Sequence, residues 1–548
     1  MRNWSWLALA WLVTHGAFGC RRAVPLVTEI FTPMHRRTCS TASEMLDDRT
    51  RRRWSKGAAY ALLLIYAILV WYEVRPESLQ NWRMADTQTI ARHFTEPGAS
   101  IFRPRIDWGG DGPGYVEAEF QLYTWLVSRG LRVFGDVEWI GQAISLIAMT
   151  GAAVVAFESL MAAYGPVPAV LGLLALLSSR GVVSTAVSVQ PEALCFLLYT
   201  AAWFAFLRYE SSEGMSPLWP YAALGTIAML IKPSAAQLGI SSFVLTALHS
   251  AALLKKRGLW IAWLLMIGFL AAHLLWARHL YLEFGNTFGV LSGGDAKVPR
   301  FSDLLHSSLV YQAVRRSVLW GTSSVGALAV VGALFFGEKR DRAAVVALLI
   351  GNAVWVGFAF RYTSQEMGNH YHLPAAVLGA QATAICARLL DRKGFRWPLI
   401  LLWGGLLFGL FRTLRFGRAT RVSDWDAPAA SVASAFKMLA APGQLVIVRS
   451  PAPARDERWG VVNHFEDPRV FYLTKTHGWV LAFDDTNIDK LVRYSRSGAR
   501  FYIDTIAPPV QPELEQWLSG NADLVLATSF GGRVFALHRG SQRDSSPR

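Results

Sequence analysis

Apolar residues along the chain gather into long runs separated by short polar stretches, and the runs set the architecture. An α-helix rises 1.5 Å per residue and a hydrocarbon core is about 30 Å thick, so a span needs about 20 largely apolar residues. By that measure the chain predicts about eleven transmembrane helices, near 57–74, 139–161, 166–183, 191–207, 218–231, 235–254, 259–280, 318–336, 343–360, 371–389 and 397–411. As a single helix, residues 218–254 would run to roughly 55 Å, far beyond one core thickness. Lys232-Pro233-Ser234 therefore predicts a hairpin between two spans.

From about residue 425 the pattern changes. Strand-length runs, Leu445–Val448, Val470–Leu473, Trp479–Ala482, Phe501–Ile503 and Leu524–Leu526, alternate with helical stretches such as Asn487–Ser495, for which Asp485 and Thr486 are available as N-caps. Alternation of this kind predicts a small α/β domain with a largely parallel sheet, and Gly531-Gly532 reads as a hairpin turn. No glycine-rich phosphate loop accompanies it, which points to an accessory or recognition module. The predicted fold is an α-helical polytopic membrane protein with a C-terminal α/β domain. Its divisions are a cytoplasmic or leader segment over 1–56, a membrane domain over 57–411 with a long loop at 74–138, and a soluble unit over 425–548. Translation from Met45 is the simpler reading of the leader.

Composition agrees. Of the 548 residues 53% are hydrophobic, 22 are Trp, and the mean hydropathy is +0.28. The net charge of +15 lies largely in short clusters between apolar runs, namely Arg51–Lys56, Lys255–Arg257, Lys339–Arg342 and Arg388–Arg396. All four fall on one side of the membrane, which makes that side cytoplasmic and makes the charge a topology signal with no nucleic-acid partner implied. The 74–138 loop, the Ser184–Glu192 turn, the Lys232 turn, the 281–317 loop and the 361–370 turn then face outward. Arg412, Arg415, Arg418 and Arg421 resist the scheme, because they follow the last span on the outer side. Interface anchoring by snorkelling accounts for them at this level. The four cysteines, at 20, 39, 195 and 386, show no metal or disulfide spacing.

The polar residues that invite chemistry lie on the outer side. Asp86 opens an amphipathic stretch in the first loop; Glu192 and Lys232 stand at the outer ends of spans, where a polar group reaches lipid headgroups. Ionisable groups at membrane depth lean functional, although capping by Asp86 or Glu192 and snorkelling by Lys232 are the plainer readings.

Four segments resemble one family in the same order: Trp82…Asp86…Ala91-Arg92…Gly112-Pro113-Gly114-Tyr115-Val116-Glu117-Ala118-Glu119, then Gln190-Pro191-Glu192, then Ile231-Lys232-Pro233, then His370-Tyr371-His372-Leu373-Pro374. Together they resemble the polyprenyl-linked sugar transferases of the GT-C superfamily, the class of the aminoarabinose transferases and protein O-mannosyltransferases. The chain departs from the family pattern in having Thr87 after Asp86 and Glu192 in place of an Asp. The resemblance implies a GT-C-like membrane domain in the bacterial inner membrane, with the C-terminal unit on the extracytoplasmic side. It implies transfer of a sugar from a polyprenyl-phosphate donor to a cell-envelope acceptor. Asp86 would be the general base, Lys232, Arg361, His370 and His372 would hold the donor phosphate, and Glu119 and Glu192 would hold a divalent Mg or Mn cation. The competing readings are a lipid or polysaccharide flippase without bond chemistry and a non-enzymatic assembly protein. The spans carry few internal charges, which disfavours a polar translocation path.

Overall fold

The structure, a computed structural model, describes residues 42–76, 82–212, 216–291, 301–420, 427–455, 462–506 and 511–538. The expected leader falls mostly outside these residues, as does Arg421. Among the described residues six helices are long and apolar enough to cross a membrane: Thr50–Val74, Trp139–Tyr164, Arg257–Phe284, Lys339–Phe358, Gly368–Arg392 and Arg396–Ala419. A seventh is possible as a broken span, Ser307–Thr322 with Ser324–Phe336, bent by 97°. The bend falls at Ser323, whose φ of 63° is a left-handed conformation costly for a residue with a Cβ. Its hydroxyl accepts from the Gly326 amide and so starts the second half.

The expected eleven long spans are thus not all present. Pro166–Leu177 and Leu218–Ile231 are shorter apolar helices. The first ends at Ser178-Ser179, where the chain turns into a second short helix, Arg180–Thr185, and the apolar run of 166–183 had concealed that break. The helix Leu218–Ile231 stops at Lys232, and a 3-10 turn over Pro233–Ala236 leads into Gln237–His249. Pro233 has no N–H to continue the helical ladder, so the chain breaks there. Small residues let the helices approach closely. Gly172 of Pro166–Leu177 faces Ala380 of Ala375–Arg392, and a Cβ at Gly172 would fall 2.9 Å from the Ala380 carbonyl oxygen.

Beyond residue 427 the chain forms a five-stranded sheet in the order β4-β3-β5-β7-β6, with β3 Leu445–Arg449, β4 His477–Leu481, β5 Phe501–Asp504, β6 Ala522–Ala527 and β7 Arg533–Leu537. The sheet is mixed, where a largely parallel one was expected: β4, β3 and β5 run parallel, while β7 is antiparallel to both β5 and β6. The expected strand at Val470–Leu473 is a helix, Arg469–Thr474, whose unbroken apolar run, buried at Val470, Phe471 and Tyr472 and half-buried at Leu473, gave no helical period.

This sheet packs on the first loop. Ile90, Phe94, Ile106, Trp108 and Val116 share one core with Val432, Phe436, Val446, Phe471, Ile503 and Val534. Gly110 donates its amide to the Gly478 carbonyl (2.7 Å), and Gly478 donates to the Asp107 carbonyl (2.9 Å). Two short strands, β1 Val116–Glu117 and β2 Asn286–Thr287, pair in parallel and tie the same loop to the end of the span Arg257–Phe284. The loop segment Trp108-Gly109-Gly110 is therefore a sheet-docking element. The indole of Trp479 lies against Gly110, whose φ of 80° and lack of Cβ permit the contact.

Candidate active site

Asp86 lies on the helix Trp82–His93, whose residues Met84 to Ala91 are all buried although half of them are polar. One carboxylate oxygen, Oδ1, accepts from the indole Nε1 of Trp108 at 2.9 Å. The other, Oδ2, is buried without a hydrogen-bond partner among the described residues. Burial pushes the Asp86 carboxyl well above the usual carboxylate range, and the charges of Asp467 and Glu466 push the same way, while the Trp108 hydrogen bond and Arg83 pull against them. Glu466, on the segment leading into the helix Arg469–Thr474, is itself pushed up to about 7 by burial.

One helical turn before Asp86, Arg83 enters a cluster of buried charges. Lys232 Nζ lies 2.8 Å from Glu119 Oε1 and 3.1 Å from Glu192 Oε1. Arg83 reaches the same two oxygens at 3.4 and 3.7 Å. His370 Nε2 is 4.0 Å from Glu192 Oε1. Two cations against two carboxylates leave the cluster close to neutral, which is what allows it to be buried.

Arg83, Glu119 and His370 line one cleft, while Glu192 and Lys232 lie beside it against a small separate cavity that His370 also touches. A cavity of about 320 Å³ is bounded by Trp82, Arg83, Glu119, Trp320, Asn369, His370, Tyr371 and His464. A smaller lobe of about 40 Å³ reaches Asp86 and shares Trp82, Arg83, Glu119 and Phe288 with it. The fold thus brings Asp86, Glu119, Glu192, Lys232 and His370 together. It leaves out Arg361 and His372. Arg361 is buried in an ion pair with Asp303 at 3.0 Å. His372 has both ring nitrogens engaged, by Ser317 Oγ at 2.9 Å and the Thr363 carbonyl at 3.0 Å, and it props the turn before the span.

Glu119 and Glu192 were expected to hold a divalent cation. The room between them is taken by the ammonium of Lys232 and the guanidinium of Arg83, so the donor set does not fit a hard cation, which needs several free oxygens. Among the described residues no three His, Cys, Asp or Glu side chains gather at metal-binding distance. Arg83, Trp108 and His464 are not among the residues singled out from the sequence. Of these only Arg83 was within reach, since its i,i+3 spacing from Asp86 puts both on one helix face.

The apo structure of ArnT from Cupriavidus metallidurans superposes with a TM-score of 0.59 over 88% of this chain and 98% of that one, at 13% identity. The chain has the GT-C fold. ArnT bound to undecaprenyl phosphate superposes at 0.54, with 14% identity over 87% of this chain and 97% of that one. The Archaeoglobus fulgidus oligosaccharyltransferase in complex with Zn and sulfate does so at 0.51, with 10% identity over 81% of this chain and 67% of that one. Residues 121–276 also match the family model described as dolichyl-phosphate-mannose-protein mannosyltransferase. That stretch of the GT-C fold holds Glu192 and Lys232, while Asp86 and His370 lie outside it. No curated protein sequence matches the chain.

Proposed function

We propose that the protein is a membrane glycosyltransferase that moves a sugar from a polyprenyl-phosphate donor to a hydroxyl or amine of a cell-envelope acceptor, at the outer face of the bacterial inner membrane. The observation that carries this reading is Asp86 itself, a buried carboxylate with one oxygen anchored and the other without a partner among the described residues, at the edge of a cavity that Arg83 also lines.

The acceptor is a weak nucleophile until a base takes its proton. Asp86 Oδ2 has no partner among the described residues and takes that role, while the Trp108 N–H fixes the carboxylate through Oδ1. Its raised pKa brings the base nearer to the working pH, where proton transfer is most effective. As the acceptor heteroatom bonds to the anomeric carbon, the bond from that carbon to the phosphate oxygen breaks, and polyprenyl phosphate leaves with the electron pair. Direct displacement inverts the anomeric centre. The growing negative charge on the phosphate falls to Arg83 and Lys232, with His370 beside them. Fixed cations in a water-poor cleft stabilise such charge strongly.

Mass spectrometry of envelope lipids and glycans from a strain lacking the gene tests the proposal, with wild type and Asp86→Asn each supplied back. A sugar missing from the deletion strain and restored only by wild type supports transfer. Restoration by Asp86→Asn sinks the base assignment, and no change in any glycan or lipid sinks transfer altogether. The flippase reading requires Asp86→Asn to be silent.

A further inference from the structure

The arginines after the last apolar run have no part in the cleft, yet the fold gives them company. Three elements meet beside Trp320: the short helix Arg180–Thr185, the helix Ser307–Arg316 with the π-turn Ser317–Thr322 that follows it, and the last span Arg396–Ala419. Thr413 donates to the Ser178 carbonyl at 2.9 Å and Ser179 to the Trp320 carbonyl at 2.7 Å, which locks the three together. The guanidinium of Arg180 lies 4.3 Å over the ring of Phe416, and Phe416 meets Trp320 edge-on at 5.7 Å. Trp320 is part of the cavity wall, so Arg180 lies behind that wall.

Arg412, one turn before the Phe416 that Arg180 covers, and Arg315, on the helix that runs into the Trp320 turn, bring like charge to Arg180. Arg315 and Arg412 are exposed, and among the described residues none of the three has a carboxylate partner. Arg418, two turns further along the span than Arg412, does have one, Glu73 at 3.2 Å. Just before the cluster, Phe408 and Phe411 are exposed, as lipid-facing side chains of a span are. Three guanidiniums gathered without an anion at the edge of an apolar belt match a phosphate held at headgroup depth, since guanidinium binds phosphate through paired N–H donors.

We propose that Arg180, Arg315 and Arg412 form a binding site for the phosphate of an anionic lipid headgroup, separate from the cleft and backed by Trp320 and Phe416. It stands whether or not the transferase reading holds. Because the chemistry recognised is a phosphate, a free phosphate ion is the rival occupant.

The test uses the full chain reconstituted in vesicles of equal parts phosphatidylglycerol and phosphatidylcholine, then released into the gas phase for native mass spectrometry of retained lipid. Wild type is expected to retain phosphatidylglycerol preferentially. The triple variant Arg180→Gln, Arg315→Gln, Arg412→Gln is expected to lose that preference by roughly tenfold or more, because each surface cation contributes separately to attraction. The triple lysine variant at the same positions keeps the charge and is expected to keep the preference, which separates lost binding from lost folding. Arg396→Gln, at the opposite end of the same span, is expected to change nothing. Equal retention of both lipids by wild type, or an unchanged preference in the glutamine variant, overturns the proposal. So does displacement of the lipid by inorganic phosphate at millimolar concentration, which would assign the arginines to a free ion.

Discussion

The indole N–H of Trp108 donates to Asp86 across 22 residues of sequence, and that one bond leaves half of a buried carboxylate bare. A group kept in that state is costly to the fold, and the cost can be measured.

Asp86→Asn is expected to lower the rate of transfer by about 10²- to 10⁴-fold, the range general-base catalysis supplies. The same change should stabilise the protein at neutral pH. A buried Asp with a raised pKa contributes most stability when protonated, below the unfolded value of about 3.9, and loses it as pH rises through the folded pKa. Melting curves across pH for wild type and variant check the sign: the variant should gain on wild type as pH rises.

Trp108→Phe keeps the ring in the shared core and removes the hydrogen bond. That bond favours the charged carboxylate, so its loss should raise the Asp86 pKa further and move the acid limb of the rate profile to higher pH. A limb that stays in place or moves down would show that Trp108 does not govern the base.

Lys232→Met takes from Glu119 and Glu192 the cation nearest to both, at 2.8 and 3.1 Å. Removing one partner of a buried ion pair costs about 3–5 kcal/mol, so this variant should fail chiefly in stability. Adding Glu192→Gln should recover part of the loss, and thermal melts of the single and double variants read the difference.

Gly478→Ala tests the docking of the sheet on the first loop. Gly478 has a φ of 151° and its missing Cβ would collide with the Val446 carbonyl. Strain of this kind costs about 1–3 kcal/mol. Although no cavity residue is touched, activity should fall, because the amide that bonds the Asp107 carbonyl is displaced.

His93 lies between Glu96 and Asp107, 2.7 Å from each, and although burial opposes the charge, those two carboxylates raise its pKa. Its contribution to stability is complete below about pH 6.5 and fades as pH rises through the folded value. The stability gap between wild type and His93→Gln should therefore be widest in acid and close in alkali.

Much of the site was legible in the sequence. Asp86, Glu119, Glu192 and Lys232 were singled out from the sequence and the structure brings them together, although the eleven-span count used to place them is not reproduced. His370 joins them beside Glu192. Arg361 and His372 share its neighbourhood in sequence, but one turn of backbone directs them to Asp303 and Thr363, and no periodicity reports where a short turn aims a side chain. Trp108 and His464 were out of reach for another reason. Trp108 packs on a sheet whose strands lie hundreds of residues later, and His464 meets cavity residues such as Arg83 and Glu119 equally far before it; non-local packing leaves no local pattern. Run length also merged helices that Ser178-Ser179 divides, because serine interrupts an apolar run less visibly than proline.

The shared core of the first loop and the C-terminal sheet has a consequence for the order of assembly. Residue 86 leaves the ribosome early, but the strand carrying Val534, which packs in the same core as Ile90, is among the last segments made. A chain halted after its final span would carry Asp86, Arg83, Glu119, Glu192, Lys232 and His370, but neither His464 nor the floor of the helix that holds Asp86. Unfinished copies in the membrane are thus predicted to be silent, and competence to arise only on completion of synthesis.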